Sequence, residues 1–144
     1  MNKEKATKAV GVKKAGAPIS HGVGRRKCSI ARVWLRKGTG QVTVNGRTVE
    51  NYFDTVFNRA DAVVAFTVIG DATKYDADVN VIGGGVCSQA GAVRLGIARA
   101  LVATDESYRK ALRANDLLTV DSRQVERKKY GQPGARRKFQ FVKR

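Results

Sequence analysis

The sequence predicts one α+β domain over residues 24–122, a small sheet with two main helices on one face, followed by an extended basic tail over residues 123–144. Three observations lead to this. Apolar and polar residues alternate around residues 30–35 and again at 75–81, the period of half-buried strands. From Val86 to about Val102 the apolar period becomes that of a helix. The charge, finally, sits at the two ends of the chain and leaves the middle nearly neutral.

A length of 144 residues suits a single core. Of the formal net charge of +16, residues 1–37 hold eleven bases and one acid, and residues 123–144 hold nine bases and one acid. Residues 38–122, with eight bases and ten acids, are slightly acidic. Such blocks repel themselves unless a polyanion neutralises them, and nucleic acid is the leading partner. An anionic membrane surface would favour an amphipathic basic helix with an apolar face, which neither end offers. The chain shows no run approaching the roughly 18–20 apolar residues of a membrane span. Its start, "MNKEKATKAVGVKKAGAPIS", lacks the apolar stretch of a secretory signal. Residues 1–23 are expected to be a flexible basic extension.

Taken in order, "CSIARVWLRKGTGQVTVNGR" reads as a hairpin: Ile30, Arg32 and Trp34 alternate with Ala31, Val33 and Leu35, "KGTG" supplies turn residues, and "QVTVN" resumes the alternation. Asn45-Gly46 ends the second strand in a turn. Val49, Tyr52 and Phe53 fit a helical turn or two. In "RADAVVAFTVIG", residues 59–70, composition favours strand, but length and the face made by Ala62, Val63, Phe66 and Ile69 favour helix, and helix is expected. "YDADVNVIGGG" is a strand that ends at three glycines. The next helix carries Val86, Ala90, Val93, Ile97 and Leu101 on one stripe, and its glycines and alanines make it thin enough for close backbone approach. "TDESYRKALRAND" reads as a second helix with Thr104 as N-cap. "LLTV" ends the domain as a short strand or an extended packing segment.

Candidate chemistry is sparse. The glycine run before a helix could hold a phosphate, but Ser88 stands where a dinucleotide fingerprint needs its third glycine, and no phosphate-binding lysine motif occurs. The run is left as a tight strand-to-helix turn, or as a turn that also touches an RNA backbone. His21, the only histidine, lies in a charged segment before Cys28 and forms no convincing nucleophile pair. Asp76 and Asp78 share one strand face, expected to be solvated. Cys28 and Cys87 are too few for a disulfide framework or a zinc site and are expected to be small buried residues. No catalytic residue, metal or cofactor is expected. The ends are more informative. Arg25, Arg26 and Lys27 form a basic entry to the sheet, and the tail interleaves bases with Tyr130, Phe139 and Phe141, a mixture suited to phosphates and unpaired bases.

The motifs "GRRKCSIARV", "VNGR" with "YF" soon after, "GGG" then "QAGA", "RLGIARAL", "LLTVDSR", "ERKKYG", "ARRKFQF" and a final "KR" resemble, in order, the small-subunit ribosomal protein nine family over residues 24–144. The resemblance implies the fold of the second domain of ribosomal protein five, with a left-handed crossover and a helix at residues 59–70. It implies a structural constituent of the small ribosomal subunit in the cytoplasm, bound to small-subunit rRNA beside neighbouring head proteins, with its tail reaching peptidyl-site tRNA. Carried over by position, Arg25, Arg26, Lys27, Arg123, Arg127, Lys128, Lys129, Arg136, Arg137 and Lys138 would serve rRNA, and Lys143 and Arg144 would lie near tRNA. Val120, Ser122, Val142 and Ser88 depart from residues common in that family. The alternative is an RNA-dependent processing factor, a basic protein cofactor of a ribozyme on a similar fold.

Overall fold

The computed structural model describes residues 16–70 and 73–143. Strands β1 (Ser20–Arg26), β2 (Ser29–Lys37), β3 (Val42–Val44) and β4 (Arg47–Thr48) precede the short helix α1 (Val49–Tyr52) and helix α2 (Val56–Ile69). Strand β5 (Tyr75–Ile82), helix α3 (Val86–Thr104) and helix α4 (Tyr108–Ala114) follow. The α+β class holds, and so do the helix over the ambiguous residues and the strand that ends at the glycines.

The strands form one mixed sheet in the order β1-β2-β5-β3-β4. This corrects the hairpin expected over residues 28–47, because β5 lies between its two arms, antiparallel to β2 and parallel to β3. The reason lies in the loop at 38–41. Asp76, near the start of β5, accepts backbone N–H bonds from Thr39 at 2.7 Å and from Gly40 and Gln41 at 2.9 Å through one carboxylate oxygen. The loop therefore wraps around the end of β5 instead of closing a tight turn. Hairpins instead join β3 to β4 through Asn45-Gly46 and β1 to β2 through Lys27 and Cys28, the latter with Arg26 opposite Ser29 and Lys27 in the left-handed region at φ 52°.

Strand β1 thus begins at Ser20, inside the stretch expected to be a flexible extension; residues 1–15 of that extension lie outside the described residues. No apolar alternation marks β1 because its inward positions are Gly22 and Gly24, both buried against α3. A Cβ on Gly24 would collide with the Ala92 carbonyl oxygen, and one on Gly22 with that of Gly96. Gly96 itself faces Val33 and the Gly24 amide. Three polar ties run the length of the same contact. Ser20 Oγ donates to Ala100 O at 2.8 Å, Arg99 Nη1 to Val23 O at 2.8 Å, and Arg26 Nη1 to Cys87 O at 3.2 Å.

Helix α3 packs against β1, β2 and β5, while α2 and α4 pack on α3. Ala31, Val33 and Leu35 of β2, Ala77, Val79 and Val81 of β5, and Val93, Ile97 and Leu101 of α3 make the centre of the core. Of the expected stripe only Val86 is exposed, because it occupies the first turn. By length and a mean hydropathy of 1.2, α3 is apolar enough to cross a membrane, which corrects the expectation that no such run exists; most of it is buried inside the protein. Arg94 also pairs with Asp61 of α2 at 2.7 Å.

Thr104 is not the N-cap of the second helix. It is the last residue of α3, where its hydroxyl lies 2.8 Å from Ser20 Oγ and bonds Ala100 O. The turn that follows is held by Asp105, whose carboxylate accepts the Ser107 N–H at 2.9 Å. After α4, Leu117 is buried, but residues 117–120 form no strand. The cysteines are also corrected: both are exposed and free, Cys28 in the β1–β2 turn and Cys87 on the first turn of α3. Their neighbours Ser29 and Ser88 take the buried positions, with hydroxyls 2.7 Å apart.

The β1–α3 contact leaves no room for a methyl group. Gly24→Ala should lower stability by about 1–3 kcal/mol or more, read from the urea midpoint. Gly134→Ala, where a Cβ meets only the Arg137 Cβ at an ordinary 3.5 Å, should leave the midpoint unchanged.

Candidate nucleic-acid interface

One base from each basic segment, Arg26 and Arg123, meets the other at a single carboxylate. Arg26 closes β1 on the face turned toward α3, and its Nε lies 3.6 Å from Asp121. Arg123 grips the same carboxylate through Nε at 2.9 Å and Nη2 at 3.0 Å, and its backbone N–H adds a third bond at 3.1 Å. Asp121 therefore ties the first residues of the tail to the edge strand. The two donors of Arg123 hold its carboxyl well below the usual carboxylate range, with Arg26 adding a smaller attraction. The Arg123 guanidinium is shifted up in return.

A second acid organises the tail itself. Glu126 accepts Arg136 Nε at 3.0 and 3.1 Å, with Arg136 Nη2 also on its carboxylate, and Lys129 Nζ lies 3.8 Å away. The Arg136 hydrogen bonds lower the Glu126 pKa. Residues 126–136 are thereby closed into a loop of turns and bends, so the tail has no regular secondary structure yet is not straight.

The other expected contact residues are distributed more widely. Arg25 is exposed on β1, facing away from Arg26, and Lys27 is exposed in the adjoining turn. Arg127 bonds only the neighbouring Lys128 carbonyl, and Lys128, Arg137, Lys138 and Lys143 are exposed with no acid partner among the described residues. Arg144 lies outside the described residues. Tyr130, Phe139 and Phe141 are 98%, 70% and 87% exposed, so nothing among the described residues covers their rings. Phosphates can meet uncovered guanidinium and ammonium groups here, and bases can meet uncovered rings. Arg123 and Arg136 keep unused N–H donors, since each spends only part of its five-donor fork on its acid.

The acids Asp121 and Glu126 were missed as organising residues in the sequence, although each is a lone acid within a basic run, "VDSR" and "ERKK". The glycine run is a strand-to-helix turn. Gly83 and Gly84 take φ of 74° and 64°, and Ser88 Oγ accepts the Gly85 N–H at 3.0 Å. Gln89 and Asn45 fasten the surroundings: Gln89 bonds Gly83 O and the Tyr52 hydroxyl, and the Asn45 amide pairs with both backbone groups of Val81. Asp76 and Asp78 make no acid pair for catalysis, since Asp76 is occupied by three loop N–H groups. Among the described residues no group of three or more His, Cys, Asp or Glu could hold a metal ion.

The fold and this arrangement define a small basic α+β protein in which the root of the cationic tail is tied to Arg26 on the edge strand of the sheet. Residues 24–144 match the family described as ribosomal protein S9/S16, and the chain belongs to that family. It is 54% identical to the small ribosomal subunit protein uS9 of Treponema pallidum over 85% of this chain and 95% of that protein. It is 52% identical to its counterpart from Chlorobium chlorochromatii over the same shares, and 48% identical to that of Cytophaga hutchinsonii over 88% and 98%. These relatives are named as ribosomal proteins and not as enzymes.

The depressed carboxyls have a consequence for pH. A carboxylate whose folded pKa lies below its unfolded value of about 3.9 adds stability above that value and loses it as pH falls through the folded one. The Asp121 link should therefore persist below about pH 3.9. A carbon-13 titration of the Asp121 carboxyl should give a midpoint under that value, and Arg123→Ala should raise it. A midpoint at or above the reference would contradict the bidentate pairing.

Proposed function

We propose that this chain is a structural constituent of the small ribosomal subunit in the cytoplasm, bound to small-subunit rRNA in the head beside neighbouring proteins. In this reading Arg25, Arg26, Lys27, Arg123, Arg127, Lys128, Lys129, Arg136, Arg137 and Lys138 serve rRNA phosphates, and Lys143 and Arg144 lie near peptidyl-site tRNA. The observation that carries it is the family match, which runs through the tail as well as the domain. The physics of the tail supports the same reading. Its rings are exposed and most of its described bases are unpaired, so a polyanion supplies contacts beyond those that Asp121 and Glu126 make. The names of the relatives favour a ribosomal constituent over a processing factor.

Removing residues 142–144 tests the division of labour. The bases left in place should keep the shortened chain on small subunits through a high-salt gradient. Peptidyl-site tRNA should leave faster, by an amount set by about 1–3 kcal/mol of charge-assisted contact. Equal tRNA residence would remove the tail tip from that role, and failure to co-sediment would assign the tip to the rRNA scaffold. If the full-length chain itself does not co-sediment, the ribosomal reading fails.

A further inference from the structure

Helix α3 covers one face of the sheet, and the opposite face has its own chemistry. There Trp34 of β2 stands opposite His21 of β1, their ring centroids 5.3 Å apart at 45°. Two residues along β2, about 7 Å by strand geometry, Arg32 lies between Val23 and Asn80. At the far end Arg25 faces Ile30, which faces Ile82. His21, Arg25, Arg32 and Ile82 are exposed, and Trp34 is half-buried.

The charge on this face is uneven in a useful way. Arg25 and Arg32 have no acid partner among the described residues, and the two acids of the face both lie on β5. Asp76 accepts three loop N–H groups, and Asp78, directly opposite Trp34 in register, accepts the Thr43 hydroxyl at 3.4 Å. The β1–β2 half thus offers two free guanidinium groups beside two aromatic rings. That pairing suits an anion that also presents flat apolar faces, which an unpaired RNA strand does and a duplex, with its bases stacked inside, does not. The face is also continuous with the tail root. Arg25 and Arg26 are neighbours on β1, and Arg26 reaches Asp121 on the other side of the sheet.

We propose that the outer face of the sheet, centred on Trp34, His21, Arg32 and Arg25, binds an unpaired RNA strand by stacking and phosphate neutralisation, as a second contact beside the tail. The proposal rests on the reading that this chain binds RNA and adds to it the kind of RNA and the surface that takes it.

Trp34 is the only tryptophan in the chain and reports on this face directly. The full chain is titrated with an unstructured RNA of about twelve nucleotides, binding being followed by anisotropy of a labelled copy and Trp34 emission with an unlabelled one. Emission should fall with the same midpoint as anisotropy rises. Arg32→Ala, at an exposed position, should reduce the slope of log affinity against log salt by about 0.7 while the circular dichroism stays unchanged. A hairpin duplex of similar size should bind and leave Trp34 emission unaltered. If anisotropy rises while emission stays constant with the single strand, the tail alone takes RNA and the face belongs to a protein neighbour or to solvent; the proposal is then wrong. An unchanged salt slope in Arg32→Ala also overturns it. No anisotropy change with either RNA would instead defeat the RNA-binding reading on which it rests.

Discussion

The structure depends on how closely an edge strand approaches a helix. Strand β1 lies on α3 with Gly22 and Gly24 over the Ala92, Gly96 and Ala100 backbone, closer than any side chain would permit. Backbone surfaces this near bury little apolar area per residue, so the contact is completed by polar ties from Ser20, Arg99 and Arg26. Its effect is positional. With β1 seated, Arg26 is delivered to the side where α3 begins, and Arg25, Val23 and His21 are turned to the open side.

From that placement follows the electrostatic organisation. Eleven bases in residues 1–37 and nine in residues 123–144 would drive the two ends apart, yet Asp121 holds Arg26 and Arg123 on one carboxylate. Exposed ion pairs contribute little stability singly. What Asp121 adds is direction: it fixes where the tail leaves the domain, beside Arg26 on the β1 edge of the sheet. Glu126 repeats the device within the tail, closing residues 126–136 so that Lys128 and Tyr130 are displayed on a loop. Both acids leave most of the cationic charge uncompensated, as a surface meant for a polyanion requires.

Much of this was legible in the sequence, and the failures have physical causes. Helix α3 and strand β5 were readable because side chains carry their periodicity, and the thinness of α3 correctly announced a close backbone neighbour. That neighbour, β1, was invisible because glycine at its inward positions erases the alternation by which strands are recognised. The false hairpin arose from reading adjacent strands as paired; nothing local announces that Asp76 would thread its strand between them. The basic ends were visible in the composition, but the meeting of Arg26 with Arg123 was not, since it depends on an acid that a charge count treats only as a minor subtraction.

Strand β1 is an integral part of the folded unit, locked to α3, and not a loose leader to the sheet. Native-state hydrogen exchange of the free protein across a denaturant series tests it most directly. Slow amides of β1 and β5 should open with the same free energy and the same denaturant dependence, as parts of one cooperative unit. Opening of β1 at distinctly lower free energy, with little denaturant dependence, would contradict it and leave the position of Arg26 and the tail root unexplained.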